Sequence, residues 1–380
     1  MDFSYSEEQQ MLLDSVSRFI TNRYDFDTRQ KILQRDEGFD PQNWRMFAEL
    51  GWLTVPFREE DGGFGASAVD LMVVMEEFGK GMVVEPYVPT AVLAGGMVSE
   101  LGSESVKGEL LGPLMEGDLQ LALAYAEAGS RYNPANVTTR AEKDGDGYVI
   151  TGDKILVFNA PSADHIIVVA RTAGESCDEQ GISAFLVSAG AQGMRQRRYP
   201  TVDGHRAAEV HLDGVRVPAS ALLGEEGAAL PALQRVIDRA ALAAAAEGLG
   251  AMDCLLKKTV EYARTRKQFN TPIGTFQALQ HRMAEMFIEC QLSRSIVTMA
   301  AMTLDSDESE AGKQKSVSAA KSRVGRALRR VGQEAVQIHG GIGMTDELDV
   351  GHYFKRVTTL EKLFGDTPFH TQRYALLSRT

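Results

Sequence analysis

Residues 137–151 read Val137-Thr138-Thr139-Arg140-Ala141-Glu142-Lys143-Asp144-Gly145-Asp146-Gly147-Tyr148-Val149-Ile150-Thr151. The first six alternate, Asp144-Gly145-Asp146-Gly147 makes a turn, and Tyr148 to Thr151 returns as a second strand. Residues 165–170 and 182–187 are short apolar runs rich in β-branched side chains. Residues 208–212 and 215–218 flank a further turn at Asp213-Gly214. Short strands at turn-punctuated spacing predict a compact antiparallel sheet or barrel over 119–225.

Both flanks read differently. In residues 1–118, Ser6 caps a helix whose Gln9 completes a capping box, and Met11, Leu12, Val16, Phe19 and Ile20 follow at helical spacing. Asp61-Gly62-Gly63-Phe64-Gly65 is a glycine loop, and 69–78 is helical again, closed by Gly79 and Gly81. Four helices are predicted at 230–264, 276–303, 317–339 and 350–363. Packed antiparallel, they make a bundle whose core can host a ligand. The predicted fold is mostly α with a β insert. It has an N-terminal helical domain (1–118), a central β domain (119–225) and a C-terminal four-helix bundle (226–380).

Composition limits the function. The chain has 380 residues, with 40 Lys and Arg against 52 Asp and Glu, a net charge of -12. An acidic chain lacks the cationic footprint of a general nucleic-acid binder. No apolar run is long enough for a membrane span. The acidic opening Met1-Asp2-Phe3-Ser4-Tyr5-Ser6-Glu7-Glu8-Gln9 reads as neither signal nor transit peptide. Cys177, Cys254 and Cys290 form neither a paired framework nor a metal-ligand pattern. They read as buried or inert thiols of a reducing, cytoplasmic compartment, with no metal expected.

Two motifs carry chemistry. Arg264-Thr265-Arg266-Lys267-Gln268-Phe269 ends a helix with three cations. Such charge complements a helix C-terminus, or clamps an anion with Arg266 while Phe269 lies against a ring system. Gln337-Ile338-His339-Gly340-Gly341-Ile342-Gly343 is either a glycine-rich helix stop or a stretch whose bare backbone approaches a nucleotide.

Taken in order, these segments resemble the acyl-CoA dehydrogenase flavoproteins over nearly the whole chain. Leu50-Gly51-Trp52-Leu53 through Gly65, residues 147–154, Val215-Arg216-Val217-Pro218, residues 262–269, Phe276-Gln277 and residues 337–341 carry the likeness. The resemblance implies FAD as cofactor and α,β-dehydrogenation of an acyl-CoA thioester. A carboxylate would take the α-proton while hydride passes to the flavin. It implies electron-transfer flavoprotein as acceptor and a tetramer in which each FAD lies between two chains. One chain would hold the isoalloxazine through its β domain. The neighbour would hold phosphates and adenosine through residues matched here by Arg266, Phe269, Gln277, Gln337, Gly340 and Gly341.

The ring half departs from the family pattern. Ala126 stands where the family has a flavin-bonding Thr, and Tyr132 where it has a small Ser. Leu156-Val157-Phe158 replaces the family's Trp-x-Thr shield. Backbone donors remain as a way to hold the ring. The family's commonest base position holds Phe364, which cannot take a proton. Two other carboxylates are candidates. Asp238 precedes Arg239 near the family's second base location, though an ungapped count places that location at Ala240. Glu247 is alone in the apolar stretch 240–249, where burial would raise its pKa toward that of a base. Asp238 and Glu247 are nine residues apart and point to opposite faces of one helix. The bland readings are a buried Glu247 paired with a cation, and a solvated Asp238 paired with Arg235 or Arg239.

These departures resemble the small subunits of heteromeric acyl-CoA dehydrogenases such as pimeloyl-CoA dehydrogenase and steroid side-chain enzymes. The leading expectation is a subunit of an α2β2 enzyme that completes its partner's FAD site. A homotetrameric dehydrogenase using Glu247 or Asp238 is second. A flavin-free helical scaffold is third.

Overall fold

The computed structural model describes residues 5–379. In chain order its helices and strands are α1 (Glu7–Arg23), α2 (Phe26–Leu33), α3 (Pro41–Glu49), α4 (Ala68–Gly81), α5 (Gly96–Leu101) and α6 (Glu104–Met115). The strands β1 (Leu121–Ala124), β2 (Arg140–Asp144), β3 (Gly147–Phe158), β4 (His165–Arg171), β5 (Ile182–Ser188), β6 (Met194–Pro200), β7 (Arg206–Pro218) and β8 (Leu222–Leu223) follow. Then come α7 (Leu230–Thr265), β9 (Lys267–Gln268), β10 (Thr271–Pro272), α8 (Gln277–Leu304), α9 (Glu310–His339), α10 (Asp349–Lys362) and α11 (Thr367–Leu377). The fold is mostly helical with a central sheet, as expected.

The chain forms two compact units. Met1–Lys31, Ala68–Val83 and Ala241–Thr380 make a helical unit; Ile32–Ser67 and Val84–Ala240 make a unit built on the sheet.

In the helical unit the four expected long helices are α7 to α10, and α11 adds a fifth. Helix α9 starts at Glu310, earlier than its apolar pattern indicates, because Ser309 caps it by accepting from the Gly312 N–H at 3.1 Å. Helix α4 does not stop at Gly79. A Cβ there would overlap the Glu247 carbonyl oxygen of α7, and one at Gly250 would overlap the Glu76 carbonyl of α4. These glycines let two helix backbones touch. Arg294 of α8 binds Glu76 at 2.8 Å and Asp253 at 2.5 Å, tying α4, α7 and α8 together.

In the other unit, the sheet order is β6-β7-β3-β2-β4-β5-β8, with β1 beside β4. The pairing is antiparallel except where β4 runs parallel to β1 and β2. The expected turn at Asp213-Gly214 is not a hairpin. Both residues lie within β7, opposite a step in register between Ile150↔Val215 and Gly152↔Leu212. One residue of β3 faces two of β7, which is a bulge, and Gly214 takes the positive φ of 66° there. Ile150, Val157, Ile166, Val168, Phe185, Val210 and Leu212 form the core of the sheet.

Among the described residues no helix is long and apolar enough to cross a membrane. No group of His, Cys, Asp and Glu among them is arranged to hold a metal ion. Cys290 is buried and Cys254 partly so, but Cys177 is exposed.

Candidate cofactor site

The two motifs of the helical unit meet at one place. Helix α7 ends with the Arg266 N–H on the Tyr262 carbonyl, and the chain turns back through the β9–β10 hairpin. Its two turn residues, Phe269 and Asn270, have φ of 53° and 62°. A bulky aromatic in the left-handed region costs of order 1–3 kcal/mol and persists where function needs it. Phe269 is also 90% exposed, braced edge-on by Phe276 at 6.1 Å. The hairpin thus holds a strained, outward-facing ring.

Helix α8 starts immediately after, at Gln277. Its cap residue is Phe276, and no side chain satisfies its first N–H groups. An uncapped helix start near an arginine with no ion pair among the described residues favours an anion. Across from it, α9 ends at His339. Tyr262 stacks on that imidazole, with ring centroids 4.4 Å apart and planes 28° from parallel. His339 is buried, bonded to the Ala335 carbonyl at 2.8 Å, and burial pushes its pKa down, which favours the neutral ring. Past it, Gly340 takes φ of 68°, and a Cβ at Gly340 or Gly341 would meet nothing within 4 Å. Arg266, Phe269, Gln277, Gln337, Gly340 and Gly341 are all exposed on this unit. A cation, an open helix start, two bare glycines and a ring suit a dinucleotide's phosphates and adenosine.

The sheet unit lacks the side-chain hydroxyls of the family's ring site. After β1, the Glu127 carboxylate binds the Lys154 ammonium at 2.6 Å, the Thr138 and Thr139 N–H groups at 2.8 and 3.0 Å, and the Thr138 hydroxyl. The Ser130 hydroxyl is spent on the Glu127 backbone. Arg131 holds φ of 46°, in the left-handed region that favours glycine. No hydroxyl stands at Ala126 or Phe158. Of the backbone donors expected to remain, the Ile155 N–H is taken by the Ala126 carbonyl at 2.9 Å. The Leu156 N–H faces the Tyr199 hydroxyl. Leu156 itself has φ of 52° and is exposed.

The candidate bases fare no better. Glu247 is 3% exposed, and both its oxygens are bound by Arg356, from Nε at 2.5 Å and from Nη2 at 2.7 Å. Glu247 is thus held in a buried two-point pair with Arg356, the bland alternative of the sequence reading. Asp238 is 4% exposed, not solvated. Of its neighbours, Arg235 binds Glu100 and Arg239 donates to the Ala66 carbonyl. Phe364 has φ of 58°. Lys321, missed in the sequence, caps the end of α10 by donating to the Leu360, Glu361 and Gly365 carbonyls at 2.8, 3.2 and 3.0 Å. His370 meets the Phe364 carbonyl at 3.0 Å. The turn is fixed from two sides but bears no base.

Models of the acyl-CoA dehydrogenase N-terminal, middle and C-terminal domains match residues 6–118, 122–215 and 230–375. The acyl-CoA dehydrogenase FadE12 of Mycobacterium tuberculosis is 31% identical over 354 residues, 92% of this chain and 90% of that protein. The chain belongs to the acyl-CoA dehydrogenase family. As a family member it is an FAD-dependent oxidoreductase. The same backbone recurs in the ChsE4-ChsE5 complex from Mycobacterium tuberculosis, at 27% identity and TM-score 0.89 over 100% of both chains. It recurs in butyryl-CoA dehydrogenase from Megasphaera elsdenii, at 26% identity and TM-score 0.90 over 100% of both chains. Against this acyl-CoA dehydrogenase framework, the phosphate and adenosine half of the FAD site fits the residues present. The ring half lacks the family's hydroxyls at Ala126 and Phe158, and the Ile155 and Leu156 N–H groups are engaged within the chain.

Proposed function

We propose that this chain is the cofactor-completing subunit of a heteromeric acyl-CoA dehydrogenase, paired as α2β2 with an unlike family member. The observation that carries the reading is the split between its two half-sites. Arg266, Phe269, Gln277, Gln337, Gly340 and Gly341 stand exposed for a neighbour's FAD. The chain's own ring half has spent or lost its donors, and its base position is Phe364. Similarity to the ChsE4-ChsE5 complex supports the pairing.

FAD, when bound, supplies the acceptor for the substrate's hydride. In this chain, Arg266 and the open start of α8 would hold the phosphates. Gln337 and the Gly340–Gly341 backbone would line the same stretch, and Phe269 would lie against a ring. The proton-accepting carboxylate comes from the partner. The substrate is an acyl-CoA thioester, electrons leave to electron-transfer flavoprotein, and the enzyme works in the cytoplasm.

The test is Arg266→Gln in the chain coexpressed with its longer family partner. The account expects flavin absorbance of the purified complex to fall severalfold while both chains still copurify. Full flavin content in that variant overturns it.

A further inference from the structure

The pairing proposed above leaves open what makes this chain prefer an unlike partner to itself. The face formed by α8 and α9 answers it, and the inference rests on that reading. Three ion pairs rung these helices together: Arg282–Glu334 at 2.7 Å, Glu285–Arg330 and Glu289–Arg323. They fix the axial alignment, so that Ile288 of α8 lies level with Arg326 of α9. Beside the rungs α8 exposes a stripe of large apolar side chains. Ile288, Leu292 and Met299, which share one side of the helix, are each half or more exposed. Apolar side chains clustered along an exposed helix mark an interaction surface.

The charge on this face is lopsided. Helices α8 and α9 together carry nine Lys and Arg against four Asp and Glu, in a chain whose net charge is -12; Arg294 turns to Glu76 and Asp253 and Lys321 is buried against the end of α10, which leaves seven. Of the four acids, Glu285, Glu289 and Glu334 are each spent on an arginine of the neighbouring helix. The fourth, Glu310, lies at the start of α9, far along the helix from Arg326. Arg326 and Arg329 are exposed and have no ion-pair partner among the described residues. A face docked on a copy of itself must be self-complementary. Here a second copy would bring unpaired arginines toward arginines, with no free carboxylate between the rungs to receive them.

We infer that the α8–α9 face docks a partner chain presenting carboxylates opposite Arg326 and Arg329 around an apolar centre. The two arginines select an unlike, acid-faced chain and disfavour self-pairing. The same helix, α9, carries Gln337 and the Gly340–Gly341 end, so docking here is continuous with the exposed cofactor half-site.

The test uses the chain as its own probe. The variant R326E/R329E presents an acid-faced copy of the same surface. Sedimentation equilibrium at low salt should show wild type and variant associating about tenfold more tightly than either associates with itself, with the preference vanishing at high salt. Wild type alone should self-associate more as salt rises. Ile288→Lys should weaken the mixed species at any salt, and circular dichroism checks that each variant is folded. If the mixed pair shows no preference, or wild type forms a salt-independent oligomer that R326E/R329E leaves unchanged, the proposal is wrong. Neither result depends on flavin, so its failure is distinct from failure of the functional reading.

Discussion

Tyr262 near the end of α7 stacks on His339 at the end of α9, with centroids 4.4 Å apart. This contact brings the Arg266 hairpin and the Gly340–Gly341 turn to one place. An aromatic pair of this kind contributes about 0.5–1.5 kcal/mol. Tyr262→Leu should therefore weaken FAD binding in the coexpressed complex by roughly threefold to tenfold. Equilibrium dialysis of the complex against FAD measures this.

Glu247 and Arg356 should behave as a buried ion pair. Removing one partner leaves an uncompensated buried charge, and costs about 3–5 kcal/mol. Arg356→Met should lower stability by that order in urea unfolding. The double replacement Glu247→Leu with Arg356→Met should recover much of the loss. Acyl-CoA-dependent bleaching of the folded complex should not change in rate with Glu247→Gln, as it would if Glu247 were the base.

Gly79→Ala should be unusually costly for an alanine placed in a helix. On propensity alone it would stabilise α4 by about 1 kcal/mol. The added Cβ instead overlaps the Glu247 carbonyl of α7, and overpacking costs about 1–3 kcal/mol or more. A fall in the thermal midpoint is expected; a rise would mean the two helices are not in contact.

Acid should loosen the sheet unit through Glu127. Burial alone would raise its pKa, but the Lys154 ammonium and hydrogen bonds from Lys154, Thr138 and Thr139 hold it down to about 2, against 4.5 ordinarily. The folded carboxyl is harder to protonate than the unfolded one. Its contribution is therefore complete above pH 4.5 and is lost as pH falls from 4.5 toward 2. Glu127→Gln should be less stable at neutral pH, with a shallower fall in urea midpoint across that window.

Much of this was legible in residue order. Alternation in 137–142 located the sheet, and the long apolar periodicities located α7 to α10. The pattern could not reveal that Gly79 is a contact surface, because a glycine near a helix end reads equally as a stop. Asp213-Gly214 has turn composition but serves a bulge, since bulge and turn both want a positive φ. Arg266 and Gly340 stood out by residue type. Tyr262 and His339 did not, because a stack between distant positions leaves no local spacing. The pairing of Glu247 was foreseen only as its bland alternative, since Arg356 lies on another helix. Lys321 gave no signal, because its acceptors are backbone carbonyls.

The central claim is that this chain completes an FAD site without owning one. The direct measurement is the flavin content of the purified chain, alone and coexpressed with its longer partner. The account predicts a colourless chain alone and a yellow complex with one FAD for each unlike pair. Stoichiometric FAD on the isolated chain, bleached by an acyl-CoA thioester, would contradict it.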